Sequence, residues 1–183
     1  MNTISNATLN VLRETRAAMA TASADIKPAL ANAWANVAAP VAIVTMRDAQ
    51  GKCHATTVTA FTSISFDPPV LMIALAHASS FLARVDEDSR IALSVLESGQ
   101  QHVVAACAVK SEDRLRDVIT IDEGFGPVVS DASACFGCTI NRMVDAGDHK
   151  LVFADIETVS SAQESHGLLY WQRRFGFSTP VNA

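Results

Sequence analysis

The sequence predicts a mainly β chain with helices inserted between its strands, rolled into a closed or half-closed antiparallel barrel. Three observations predict it. Short β-branched runs recur, Val41–Met46 first among them. They are separated by turn chemistry such as Asp48-Ala49-Gln50-Gly51 and the rigid break Asp67-Pro68-Pro69. Six or seven such runs return through short connections, which favours an antiparallel barrel over a doubly wound parallel sheet. At 183 residues, 49% hydrophobic and 18% charged, the chain can bury one real core and has little room for a second.

Residues 1–39 form a helical N-terminal extension and residues 40–183 the main domain. Helical spacing shows at Leu9, Leu12, Arg16 and Met19. A second helical piece runs from about Lys27 to Val37, with Pro28 in its first turn. Alanine supplies most of the apolar face, so this segment is expected to pack on the barrel or on a second subunit. Pro40 ends it.

Val41–Met46 is the first strand, and Cys53–Phe61 returns beside it, continued by Ser63-Ile64-Ser65-Phe66. The prolines at 68 and 69 cannot donate to a ladder and break the run. Val70–Ala76 shows little alternation, which predicts a strand buried on both faces. Ser79 or Ser80 can cap a short helix through Asp88. Ile91–Leu96 is a fourth strand, Gln100–Ala108 a helix, and Glu112–Val118 a shorter helix or turn. Thr120–Ser133, with Gly124, Gly126 and Pro127, reads as a loop. Cys135–Val144 and Lys150–Val159 are strands joined across Asp145-Ala146-Gly147-Asp148-His149, and Leu168–Trp171 is the last short strand.

The net charge is −5 and the basic residues are scattered, so no stripe exists to neutralise a nucleic-acid backbone. The best apolar run, Val70–Ala76, falls far short of the roughly 20 residues a membrane helix needs. Arg13, Glu14 and Arg16 interrupt the N-terminus early, no secretory leader is read there, and the four cysteines are expected as free thiols in the cytoplasm. Cys135-Phe136-Gly137-Cys138 is a CxxC without a second pair, and on a strand its sulfurs point to opposite faces, so no metal is expected. There is no P-loop, no Gly-x-Ser-x-Gly and no Gly-x-Gly-x-x-Gly; Gly124-Phe125-Gly126 runs into Pro127.

The stretch from Ala55 to Pro69 is rich in small and hydroxyl residues. Small side chains let a planar ligand approach the backbone, and hydroxyls offer donors and acceptors without charge, which would suit a flavin ring edge. An ordinary Thr-rich strand is the competing reading.

The order of these elements resembles the flavin reductase-like family, the small components of two-component flavin monooxygenases. The resemblance is carried by Thr56–Phe61, Ser63-Ile64-Ser65, Asp67-Pro68-Pro69, Val70–Leu75 and Ser79-Ser80, then Gly147-Asp148-His149, then Leu168-Leu169-Tyr170-Trp171 with Arg174-Phe175. It covers about Val37 to Phe175, roughly three quarters of the chain. It departs where a Gly-Met-Thr step is replaced by His54-Ala55-Thr56 and where Ala106–Lys110 lacks a Phe-Ala step.

The resemblance implies an FMN-binding split β-barrel with a Greek-key core, a homodimer, and oxidation of NADH or NADPH with FMN or FAD to supply a flavin-dependent monooxygenase. It implies a flavin site at Thr56, Thr57, Val58, Thr59, Ala60, Phe61, Ser63 and Ser65, with Ser79 and Ser80 near the phosphate and Tyr170 and Arg174 contributing. His149 is implied on the nicotinamide side, orienting the dinucleotide. A flavin-binding electron carrier without dinucleotide oxidation is the alternative, and a thiol-based redox or metal protein a weaker third.

Overall fold

A computed structural model describes residues 26–108, 118, 120–122, 124–177 and 179. The chain divides into two compact units, 1–37 and 38–183. Within the first, α1 spans Lys27–Trp34 with Pro28 in its first turn, where a missing N–H costs nothing. The helical spacing at residues 9–19 and residues 112–117 of the expected shorter helix or turn lie outside the described residues.

The second unit is built on strands β1 (Ala39–Pro40), β2 (Ala42–Arg47), β3 (Cys53–Val58), β4 (Phe61–Phe66), β5 (Pro69–Ala76) and β6 (Arg90–Val95). Helix α2 (Gln101–Ala108) follows, then β7 (Thr120–Asp122), β8 (Pro127–Val129), β9 (Ala134–Ala146), β10 (His149–Ser161), β11 (Leu168–Trp171) and β12 (Arg174–Phe177). Seven strands form one antiparallel sheet in the order β3-β2-β6-β9-β10-β5-β4. β1, β11 and β12 form a three-stranded sheet, and β7 and β8 a two-stranded ribbon.

The main sheet is strongly curled, and its connectivity says why. β3 and β4 stand at opposite edges, yet only Thr59 and Ala60 separate Val58 from Phe61. Three Cα steps span at most about 11 Å. Six strand spacings in a flat sheet would need about 29 Å. The sheet therefore rolls until its edges meet at this corner, while no ladder pairs β3 with β4. Register shifts in the β9–β10 and β4–β5 ladders supply bends.

Two apolar clusters sit on the two faces. Inside the roll lie Val44, Val58, Leu71, Ile73, Leu93, Ile140 and Val152 with neighbours. The opposite face of β2 and β6 carries Ile43, Ala92, Val103, Cys107, Phe125, Val128 and Leu168. Two buried hydroxyls fasten the ribbon on that side: Thr45 Oγ1 donates to the Pro127 carbonyl at 2.6 Å, and Ser94 Oγ accepts from Val129 N–H at 3.0 Å.

Five sequence expectations need correction. Ser63–Phe66 does not continue the strand before it; the chain turns at Thr59–Ala60 and β4 becomes the far edge. Val70–Ala76 is not buried on both faces: Leu71, Ile73 and Leu75 are buried while Met72, Ala74 and Ala76 are half-buried. The helix through Asp88 shrinks to a single 3₁₀ turn at Leu82–Arg84, because Val85 is already extended and Asp88 takes φ 73°. Thr120–Ser133 is not all loop, since β7 and β8 pair across Gly124-Phe125-Gly126. Leu168–Trp171 is not the last strand; β12 pairs with it across Gln172-Arg173.

Candidate functional site

The corner joining β3 to β4 places a shelf of small side chains beside the hairpin that carries His149. β5 pairs with β10 so that His149 lies opposite Ala76, Leu151 opposite Ala74 and Phe153 opposite Met72. Paired residues share a face, and alternate residues along a strand share it too. His149, Leu151 and Phe153 therefore lie with Ala76, Ala74 and Met72 on the outside of the roll, since Val152 and Ile73 between them are fully buried within it. The Ala74 N–H donates to the Ala60 carbonyl at 2.9 Å, extending the β4–β5 register to Ala60. Ala60, Ala74 and Ala76 thus form a low ledge with His149 at its end, about 12 Å from Ala60.

The hairpin turn is held by charge and by backbone. His149 Nδ1 lies 2.6 Å from Asp148 Oδ1. The His149 hydrogen bond, then its charge, keep the Asp148 carboxyl below the usual carboxylate range. Lys150 Nζ pairs with Asp145 Oδ1 at 2.8 Å and lowers that carboxyl likewise, while His77 Nε2 stands 3.6 Å from the same oxygen. The His77 N–H donates to the Asp148 carbonyl at 3.0 Å, tying the end of β5 to the turn. Gly147 takes φ 64°, which suits a residue without Cβ.

Besides His149, the residues singled out in the sequence fall into five places. Thr59 and Ala60 are exposed at the corner. Ser79 follows Ala76 directly around the turn; its Oγ accepts from Phe81 N–H at 3.2 Å and Leu82 N–H at 3.5 Å, so it serves as a cap, and Ser80 beside it is exposed. Thr56 and Thr57 are half-buried on opposite faces of β3, opposite Val44 and Ile43, and Val58 is buried inside the roll, with half-buried Phe61 packed against the same cluster. Ser63 and Ser65 pair with Leu71 and Val70, five and six residues along β5 from Ala76, which is about 17 and 20 Å of strand. The register therefore does not bring those two serines to His149. Tyr170 and Arg174 lie on the separate β1-β11-β12 sheet, where the Tyr170 and Phe175 rings are 5.5 Å apart.

Sequence reading missed Ala74, Ala76, Leu151, Phe153 and Arg142. Phe153 stands opposite Arg142 across β9–β10, and the guanidinium carbon of Arg142 lies 4.8 Å from the Phe153 ring centroid. Only the cross-strand register puts these on one face with His149, and register is not written in any one of the segments.

The CxxC cysteines do point apart. Cys135 contacts the Ser94 hydroxyl in one cluster, while Cys138 lies in the other. Burial, then the Glu157 and Asp155 charges, push the Cys138 thiol up to about 12. Among the described residues no group of three His, Cys, Asp or Glu is placed to hold a metal, and no helix is long and apolar enough to cross a membrane.

The antiparallel roll, with a small-residue ledge and a histidine at its rim, belongs to a known class of domain. The flavin reductase like domain matches residues 34–178, and the chain belongs to that family. It is 32% identical over 152 residues to the NADH:riboflavin 5'-phosphate oxidoreductase of Streptomyces pristinaespiralis, covering 82% of this chain and 86% of that one. It is 34% identical over 156 residues to a probable flavin reductase of Rhizobium meliloti, covering 83% of this chain but only 48% of that longer protein. Among solved structures, the NADH:FAD oxidoreductase of Streptomyces globisporus C-1027, in complex with NAD and FAD fragments, superposes with a TM-score of 0.78 at 26% identity, covering 85% of this chain and 96% of that one.

Proposed function

We propose that this protein is an NAD(P)H-dependent flavin reductase, moving hydride from NADH or NADPH to FMN or FAD and supplying reduced flavin to a partner flavin-dependent monooxygenase. The observation that carries the reading is the ledge of Ala60, Ala74 and Ala76 ended by His149, in a chain of this family. The residues present fit a flavin: alanines admit a flat ring close to the backbone, and the exposed Thr59 and Ser80 offer hydroxyls at the rim. Flavin, when bound, supplies the hydride-accepting chemistry. The chain's own work is to orient the dinucleotide and hold the two ligands at reacting distance. Asp148 accepts from His149 Nδ1 and so leaves Nε2 to face a ligand.

The reading includes the split β-barrel form of this roll, a cytoplasmic homodimer, and Thr56–Phe61, Ser63, Ser65, Ser79, Ser80, Tyr170 and Arg174 as flavin contacts. Ser63 and Ser65, remote from His149 within one chain, could serve only a ligand reaching along β4 or one shared with a second subunit. The exposed Ile64 and the 91% exposed Phe66 on the same edge strand are apolar surface that such a subunit would cover. Relatives point to the oxygenase partner: one is the reductase component of a trigonelline monooxygenase in Acinetobacter baylyi.

The experiment is NADH oxidation by the purified protein with catalytic free FMN or FAD, followed by NADH absorbance. Flavin-dependent turnover is expected. Flavin binding without NADH or NADPH oxidation would instead mark an electron carrier. Failure to bind either flavin would end the reading. Light scattering after gel filtration tests the dimer.

A further inference from the structure

We propose that Arg142, stacked over Phe153, binds a phosphoryl group of the ligand lying on the Ala60–Ala74–Ala76 ledge. This rests on the reductase reading and adds to it an anion-binding residue that the family resemblance does not mark.

Three observations converge on it. First, Arg142 shares the outer face with His149. The pairs His149–Ala146, Leu151–Val144 and Phe153–Arg142 run along one face of the β9–β10 hairpin, and Ala76, Ala74 and Met72 continue it onto β5. Second, the separation is right for a ligand with a ring at one end and a charge at the other. His149 and Phe153 are four residues apart, about 13 Å of strand, with Leu151 between them on β10, Ala74 and Ala76 alongside on β5, and Val144 and Ala146 alongside on β9. Third, the guanidinium is pre-set and electrically available. It lies 4.8 Å over the Phe153 ring, a cation–π contact that steadies the group and uses none of its N–H donors. Among the described residues no carboxylate forms an ion pair with it. The acids around it bond to other partners: Asp145 Oδ1 pairs with Lys150 Nζ at 2.8 Å, Asp155 Oδ1 accepts from Asn141 Nδ2 at 2.6 Å, and Glu87 Oε1 accepts from Met143 N–H at 3.3 Å.

A planar fork with free donors binds phosphate bidentately, which a point charge does less well. Both ligands of a flavin reductase carry phosphate: the 5'-phosphate of FMN and the pyrophosphate of the dinucleotide. The ring of either can lie on the ledge, so the shared chemistry is a phosphoryl oxygen.

The test compares Arg142→Gln with the parent protein by flavin fluorescence titration, using FMN and riboflavin without dinucleotide, and by the Michaelis constant for NADH at saturating flavin. If the flavin supplies the phosphate, FMN affinity falls about tenfold while riboflavin affinity is kept. If the dinucleotide supplies it, the NADH constant rises about tenfold with both flavin affinities kept. Arg142→Lys should fall between, because it keeps charge and loses the fork. Equal weakening of FMN and riboflavin, or no change in any of the three, overturns the proposal. A parent protein that neither binds flavin nor oxidises NADH overturns the reductase reading before Arg142 is tested.

Discussion

Replacing Gly137 by alanine should destabilise the fold by about 2–3 kcal/mol, near the top of the usual range for overpacking. Gly137 sits on β9 under the Phe125 ring. A Cβ there would meet Phe125 Cδ2 at 2.5 Å and Cγ at 2.8 Å, and would crowd Thr158 Oγ1 as well. Non-bonded carbons rest at about 3.5–4.0 Å, so the ring must withdraw by roughly 1 Å. It has little room, being 8% exposed and capped by the Arg90 guanidinium at 4.7 Å. For a chain of this size each kcal/mol shifts the midpoint by about 2–4 °C, so Tm should drop by about 5–10 °C. Thermal unfolding by circular dichroism reads this directly. Gly167→Ala is the control, with no atom within 4 Å of the added carbon. The penalty should shrink in a Phe125→Leu background, because the two changes share one contact. A Gly137→Ala midpoint within about 1 °C of the parent would refute the packing argument.

Thr45→Val removes the donor to the Pro127 carbonyl from a site that is 1% exposed, and should cost about 1–3 kcal/mol in urea unfolding; an unchanged urea midpoint would show that the ribbon is held without it. His149→Ala should raise the Michaelis constant for NADH while leaving FMN affinity nearly intact, and unaltered steady-state kinetics would remove His149 from the site. The Cys138 thiol, pushed up to about 12, should resist alkylation in the folded protein near pH 8 and react once urea exposes it; peptide mapping that finds it labelled in the native state would contradict that burial.

Much of this architecture is legible in the sequence where a residue forces the backbone. Asp67-Pro68-Pro69 breaks the ladder wherever it stands, and Asp48 with Gly51 turns β2 into β3 through side-chain and backbone bonds of its own. The sequence is silent where tertiary context decides. Thr57 to Phe66 is one unbroken β-prone run, so nothing local announces that the chain turns at Thr59–Ala60 and crosses to the far edge of the sheet. β12 escaped notice because its turn uses Gln172 and Arg173 at φ 48° and 61°, a conformation usually given to Asn or Gly. β8 is hidden because two glycines precede it and a proline opens it, and its partners, the hydroxyls of Thr45 and Ser94, are distant in sequence. His149 could be singled out through its Gly-Asp-His context. The alanines beside it carry no chemistry of their own, and Arg142 gains meaning only when β9 and β10 are set in register.

The two-residue joint at Thr59–Ala60 has a mechanical consequence. Among the described residues, the open seam of the roll is clasped by covalent chain at that one point and no ladder joins its two edge strands. Any breathing of the seam is therefore a scissor motion with its pivot at the corner, smallest beside Ala60 and widening toward Cys53 on one blade and Phe66 on the other. The ledge is next to the pivot, so it keeps its shape while the distant tips part. At dilutions where no second subunit covers this edge, backbone amides on the free side of β4 should exchange with solvent progressively faster from Phe61 to Phe66.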